Sequence, residues 1–130
     1  MHPIPVGHVR VRARDRALPS RSTRKRQTLS FLTPDLRSRI HERAALADAA
    51  NTYPAEDLAD LSAAGYLRAF VPVEFGGAGL TLAEIAAEQT ALAKAAPGTA
   101  LGINMHQIIV GLGRYLVAHG NARGEQILRD

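Results

Sequence analysis

The sequence predicts an all-α fold: a bundle of about five helices behind a disordered basic tail. Three observations carry that expectation. Apolar residues make up 46% of the chain, yet aromatics are only 5% and alanine dominates, which favours closely packed helices over a sheet. From residue 34 onward, apolar side chains recur at helical rather than alternating spacing. Proline, glycine and capping residues fall between those stretches, where helices start and stop.

At 130 residues there is room for one domain. The absence of cysteine rules out a disulfide framework and any cysteine metal site. No apolar run is long enough to span a bilayer, and the N-terminus lacks the apolar segment of a secretory signal. A soluble cytoplasmic chain is therefore expected.

The overall charge of +4 hides an asymmetry. Eight arginines and lysines against Asp15 alone give residues 1–30 a charge of +7, which leaves −3 for the other hundred residues. That first segment mixes Pro3, Pro5, Gly7 and Pro19 with arginines and shows no helical or strand period. It cannot bury enough apolar surface to offset its ordering entropy. Three readings stand: a disordered tail, even a misassigned start of translation; an arginine-rich transit peptide; or an arm for nucleic acid or another acidic partner. No aromatic residue interleaves with the arginines to stack on bases, so nucleic acid is not the expected partner. The expected division is a tail over 1–30 and a helical domain over 31–130 that is cut short at its C-terminal end.

The first helix is expected over 34–51. Thr33 suits the N-cap and Pro34 the first helical position, with Leu36, Ile40, Ala44 and Ala47 on one face. A second, short helix follows over 54–64. Pro54 suits its first turn, Glu56, Asp57 and Asp60 lie toward the positive end of its dipole, and Leu58, Leu61 and Ala64 give a buried face. Gly65 can take the left-handed conformation that ends it. Val71-Pro72-Val73 then reads as extended chain, because proline cannot continue a helix and biases the residue before it. Gly76, Gly77 and Gly79 allow a tight turn. Thr81 and Glu84 form a capping box, with Leu80 and Ile85 at the staple positions, to open the third helix.

That third helix, 82–96, puts Leu82, Ile85, Ala86, Gln89, Leu92, Ala93 and Ala96 on one stripe and stops at Pro97-Gly98. The fourth, about 100–118, is apolar on nearly all sides and so belongs in the middle of a bundle. Its Gly102, Gly111 and Gly113 cost helix propensity, and close approach by another backbone is the expected return. Gly120 ends it. Asn121 can cap a fifth helix whose Ile127 and Leu128 face a core.

The stretch GYLRAFVPVEFGGAGLTLAE, residues 65–84, resembles the loop of acyl-CoA dehydrogenases, in which a glycine-led hydrophobic run enters V-P-x-E-[FY]-G-G-x-G-L. TYPAEDLADLSAAGY, residues 52–66, is similar to the family's F-P-x-E-…-L-x-x-x-G-[LY] element. GNARGEQILRD, residues 120–130, keeps Gly120, Glu125, Gln126 and Leu128 of the family's G-[ST]-x-E-Q-K-x-x-x-L and departs from it at Gly124. The resemblance covers roughly residues 35–128 and only the family's N-terminal helical domain.

It implies an FAD-dependent enzyme that dehydrogenates acyl-CoA thioesters at the α,β bond and is a homo-oligomer when complete. In that family a central β-domain and a C-terminal helical bundle bind most of the FAD, and the bundle commonly supplies the glutamate that takes the α-proton. Neither is in this chain, so no catalytic residue is expected here and tight FAD binding is not expected. What remains is to wall the acyl pocket and exclude water. Two alternatives are a flavin-dependent monooxygenase on the same scaffold and a non-catalytic helical interaction module with a basic arm.

The residues themselves offer little other chemistry. The glycine loop lacks the Gly-Lys-[ST] of a phosphate loop and the third glycine of a dinucleotide fingerprint, so Pro72, Glu74, Gly76, Gly77 and Gly79 read as a structural turn. Glu74 reads either as a catalytic carboxylate or as a partner of backbone N–H groups or a nearby arginine. His2, His8, His41, His106 and His119 show no metal-binding spacing. His106 and Asn104, in the most apolar helix, are the pocket candidates. His106 is read either as a core histidine with a satisfied hydrogen bond or as a residue facing flavin or substrate, as the resemblance to the monooxygenases would have it. His119 reads as a C-terminal cap.

Overall fold

The computed structural model describes residues 30–130, and the expected tail lies outside them save for Ser30. Five α-helices follow in order: α1 Pro34–Ala50, α2 Ala55–Ala63, α3 Leu82–Ala95, α4 Pro97–Ala118 and α5 Ala122–Arg129. Two single 3-10 turns, Tyr66–Arg68 and Val73–Phe75, shape the connection from α2 to α3, and the described residues contain no strand. The fold is all-α, as the apolar spacing predicts.

The start signals act through hydrogen bonds. Thr33 accepts from the Leu36 amide at 3.3 Å, and Asn121 accepts from the Arg123 amide. The Thr81–Glu84 capping box closes in both directions. Gly65 ends α2 at φ +79° and Gly120 ends α4 at φ +72°. Two boundaries move. Pro54 stands one residue outside α2, as its N-cap, and Pro97 opens α4 as well as ending α3. Asn51 closes α1 in the left-handed conformation, returning its amide to Ala47 and Asp48.

The core gathers around α4, which packs against α1, α3 and α5. Leu36 and Ile40 of α1, Leu61 of α2, Ile85 and Leu92 of α3, Ile103 and Val110 of α4 and Leu128 of α5 are all buried. Tyr66 is fully buried among them and donates its hydroxyl to Gln89 at 2.7 Å, while Gln89 donates to the Ala100 carbonyl at 2.6 Å. The one polar residue on the α3 stripe is thus satisfied from both ends. Burial pushes the Tyr66 phenol well above its usual 10.0, and the negative charge of Glu88 adds to the rise.

Two expectations about helix faces are corrected. On α3, Leu82, Ala86 and Ala93 are exposed, and the buried line runs through Ile85, Leu92 and Ala96. Leu82 is the first helical residue, before the helix has reached the core. On α4, one side is not covered: Leu101, Met105, Ile108, Ile109, Leu112 and Tyr115 are each about half exposed or more. The helix is central by its contacts and open along one face.

The α4–α5 contact is unusually close. A Cβ at Gly124 would lie 2.6 Å from the Gly113 carbonyl oxygen and from the Val117 amide nitrogen. Gly124, the departure from the resembled pattern, is therefore where the two backbones meet. Gly113 plays the part expected of the α4 glycines, whereas Gly102 has nothing within 4 Å of where a Cβ would be.

Candidate functional site

The loop from Ala69 to Leu80 is closed by its own backbone. Amides of Ala78, Gly79 and Leu80 bond the carbonyls of Arg68, Val71 and Ala69, so the return limb runs beside the outgoing one. Pro72 is extended at φ −60° and ψ 153°, as expected, but Val73 already belongs to the 3-10 turn and is exposed. Gly77 lies against the Val71 backbone, and any side chain there would collide with it. Gly76 and Gly79 carry positive φ, 81° and 69°.

Two arginines hold this loop. Arg68 donates to the carbonyls of Phe75 and Gly76 at 2.6 and 3.3 Å. Arg114 of α4 donates one nitrogen to both the Phe70 carbonyl (2.7 Å) and the Leu80 carbonyl (2.9 Å), and its guanidinium lies 4.5 Å over the Phe70 ring. It therefore grips the start and the end of the loop together. The sequence reading missed Arg114; the available signal was a lone arginine inside an apolar helix. From the other side, α5 covers the Val73–Phe75 turn, with Arg129 over the Phe75 ring at 5.3 Å.

Glu74 is exposed and accepts no hydrogen bond from the described residues. The carbonyls beside it, not its carboxylate, take the neighbouring arginine. It lines an open cleft of about 410 Å³ with Pro72, Val73, Gly79, Arg114 and Leu128.

The two pocket candidates stand on different sides of α4. His106 is half-buried and donates from Nε2 to the Leu67 carbonyl at 2.6 Å, across to the chain that follows α2. Asn104 is exposed and borders the open apolar stripe. His119 caps α4, Nδ1 donating to the Tyr115 carbonyl at 2.8 Å with the two rings 4.1 Å apart. His41 ties α1 to the last turn of α3 through the Ala95 carbonyl.

A second polar cluster joins three helices. Asp57, 1% exposed, accepts from Thr99 at 2.6 Å and from Arg43 at 2.7 Å, and Arg43 also reaches Asp60 at 2.8 Å. The Arg43 guanidinium holds the Asp60 carboxyl below its usual 3.8, and Asp60 in turn raises Arg43. The sequence reading gave these acids to the helix dipole and did not foresee the ion pair, which joins residues 14 and 17 positions apart. Gln107 is a different case: it is buried, and neither its amide nitrogen nor its oxygen has a partner among the described residues.

Among the described residues, no group of three or more His, Asp or Glu could hold a metal ion, and no helix is long and apolar enough to cross a membrane. Compared with known proteins, residues 35–126 match the family model described as acyl-CoA dehydrogenase, N-terminal domain. No curated protein and no solved structure matches the chain.

Proposed function

This chain belongs to the acyl-CoA dehydrogenase family through that family's N-terminal domain, and on that premise we propose that it forms the helical wall of an acyl and flavin pocket. The complete enzyme would be an FAD-dependent oxidoreductase that introduces an α,β double bond into an acyl-CoA thioester. The observation that carries this reading is the open α4 face. Leu101, Met105, Ile108, Leu112 and Tyr115 project from it with Asn104 as a polar neighbour, and no charged residue occurs between Lys94 and Arg114. Such a surface suits an acyl chain, a flat ring system or another apolar helix, and it excludes water.

The residues present do not fit FAD as a whole. Its diphosphate needs basic side chains or a free helix start rich in backbone N–H groups. The α4 face offers one amide, Asn104, and no positive charge. The flavin would be held by the family's other domains, and this chain contributes shape and dryness. His106 has its hydrogen bond inside the domain, which favours the dehydrogenase reading over a monooxygenase that presents this histidine to the flavin.

Complementation tests the proposal. The chain is mixed with a family member deleted for its own N-terminal lobe, and flavin bleaching by an acyl-CoA is followed. Restored bleaching is the expected result. No restoration by a chain that circular dichroism shows to be folded would refute it, and so would tight one-to-one FAD binding by the chain alone.

A further inference from the structure

Most cations among the described residues are already engaged. Arg39, Arg43 and Arg129 pair with acids, and Arg68 and Arg114 donate to loop carbonyls. The side chains of Arg37, Lys94 and Arg123 have no hydrogen-bond or ion-pair partner among the described residues. Two of these three, Arg37 and Lys94, line one open cleft of about 380 Å³ between α1 and α3. Ser38 and His41 complete its polar wall, and Ala91 and Ala95 line it as well. Arg37, Ser38 and His41 share one side of α1, because His41 stands four residues after the first and three after the second. No acid lines the cleft, although residues 31–130 as a whole carry a charge of −3.

From these observations we infer that the α1–α3 cleft is a binding site for a phosphate monoester of small-molecule size. The planar guanidinium of Arg37 can meet two phosphate oxygens at once, and the Lys94 ammonium supplies a compact second charge. The Ser38 hydroxyl, which has no partner among the described residues, adds a neutral donor. His41 narrows the choice among anions. A carbonyl can only accept, so Nδ1 donates to the Ala95 carbonyl at 2.9 Å and leaves Nε2 for a ligand. That bond also takes up a last-turn carbonyl of α3, which would otherwise repel an anion. In the neutral ring Nε2 accepts a hydrogen bond, and in the imidazolium it donates one. A phosphate monoester offers acceptor oxygens to the second form and, when singly ionised, a hydroxyl to the first. Inorganic sulfate has no hydroxyl to offer. The cleft has the volume of a small ligand's site, and α4 contributes nothing to its lining. This inference therefore does not rest on the acyl and flavin reading of the α4 face.

Titration of the full 130-residue chain with inorganic phosphate, followed by amide and imidazole NMR, tests the site. Saturable shifts should gather at Arg37, Ser38, His41 and Lys94. Arg37→Gln should weaken binding about tenfold, because a charged hydrogen bond is lost. Arg123→Gln removes the same unit of charge from α5, outside the cleft, and should leave the affinity unchanged. Both arginines are exposed, so neither change should disturb the helicity read by circular dichroism. Residues 1–30 carry +7 of their own, so the difference between the two variants decides, not the total anion bound. Inorganic sulfate should bind about fivefold more weakly than phosphate, for want of the hydrogen bond to Nε2. Vesicles of phosphatidylcholine with phosphatidic acid present the same monoester on a lipid. No saturable shifts in the cleft, equal losses in the two variants, or equal affinity for sulfate would each overturn the inference. So would a dependence on Arg37 seen with the vesicles and not with free phosphate. None of these results touches the complementation assay.

Discussion

Replacing Arg114 with methionine should unfasten the Ala69–Leu80 loop from α4. Methionine keeps most of the stem and removes only the guanidinium. What is lost is two hydrogen bonds from a charged donor, 2.7 and 2.9 Å long, and the stack over Phe70. Charged hydrogen bonds contribute about 1.5–3 kcal/mol each, and the lower end applies because Arg114 is only half-buried. The stack adds about 0.5–1 kcal/mol. Together the loss is about 3–4 kcal/mol, a large part of the roughly 5–15 kcal/mol that holds a domain of this size. Urea denaturation should show it as a lower midpoint at similar slope. Hydrogen exchange should localise it, with faster exchange at the Ala78, Gly79 and Leu80 amides, which close the loop. Arg114→Lys keeps the charge without the planar stack and should recover about half. A loss under about 1 kcal/mol, with those amides still protected, would refute the clamp.

Three further outcomes are expected. Gln107→Leu removes a buried amide with no partner among the described residues and should stabilise the domain by about 1–2 kcal/mol, read as a raised Tm; a lowered Tm would mean that the amide does have a partner. Gly77→Ala forces a methyl into the Val71 backbone and should cost several kcal/mol, whereas Gly102→Ala meets nothing and should gain about 1 kcal/mol by helix propensity; equal effects in thermal melts would contradict the loop geometry. Asp60 has its carboxyl held below 3.8 by Arg43, so it contributes stability above that value and loses it as pH falls through the lower folded value. Asp60→Asn should therefore flatten the acid limb of the stability profile, and an unchanged limb would show that the pair is not linked to folding.

Much of the backbone was legible in the sequence because its signals are local. Thr33, Thr81-Glu84, Gly65, Gly120 and Asn121 act within four residues of where they stand, and each does what its chemistry suggests. The loop was legible by resemblance as well as by its proline and glycines. What escaped were pairings between distant segments. Nothing in the spacing of Arg43, Asp57 and Thr99 announces that they meet, and Arg114 gave no hint of the carbonyls it would take. Faces were read with mixed success. A helical wheel shows which residues share a side, but which side a neighbour covers is decided by packing, so Leu82 and the α4 stripe came out exposed.

The carboxylate of Asp57 has a bearing on alignment rather than on strength. The alanines Ala44, Ala47, Ala96 and Ala100 that line the nearby helix contacts are small and alike, and surfaces of that kind slide past one another at little cost. An acid that must meet Arg43 and Thr99 at once has one acceptable position. Swapping all three for well-fitted apolar residues could leave the domain as stable as before, yet free three helices to shift by a turn.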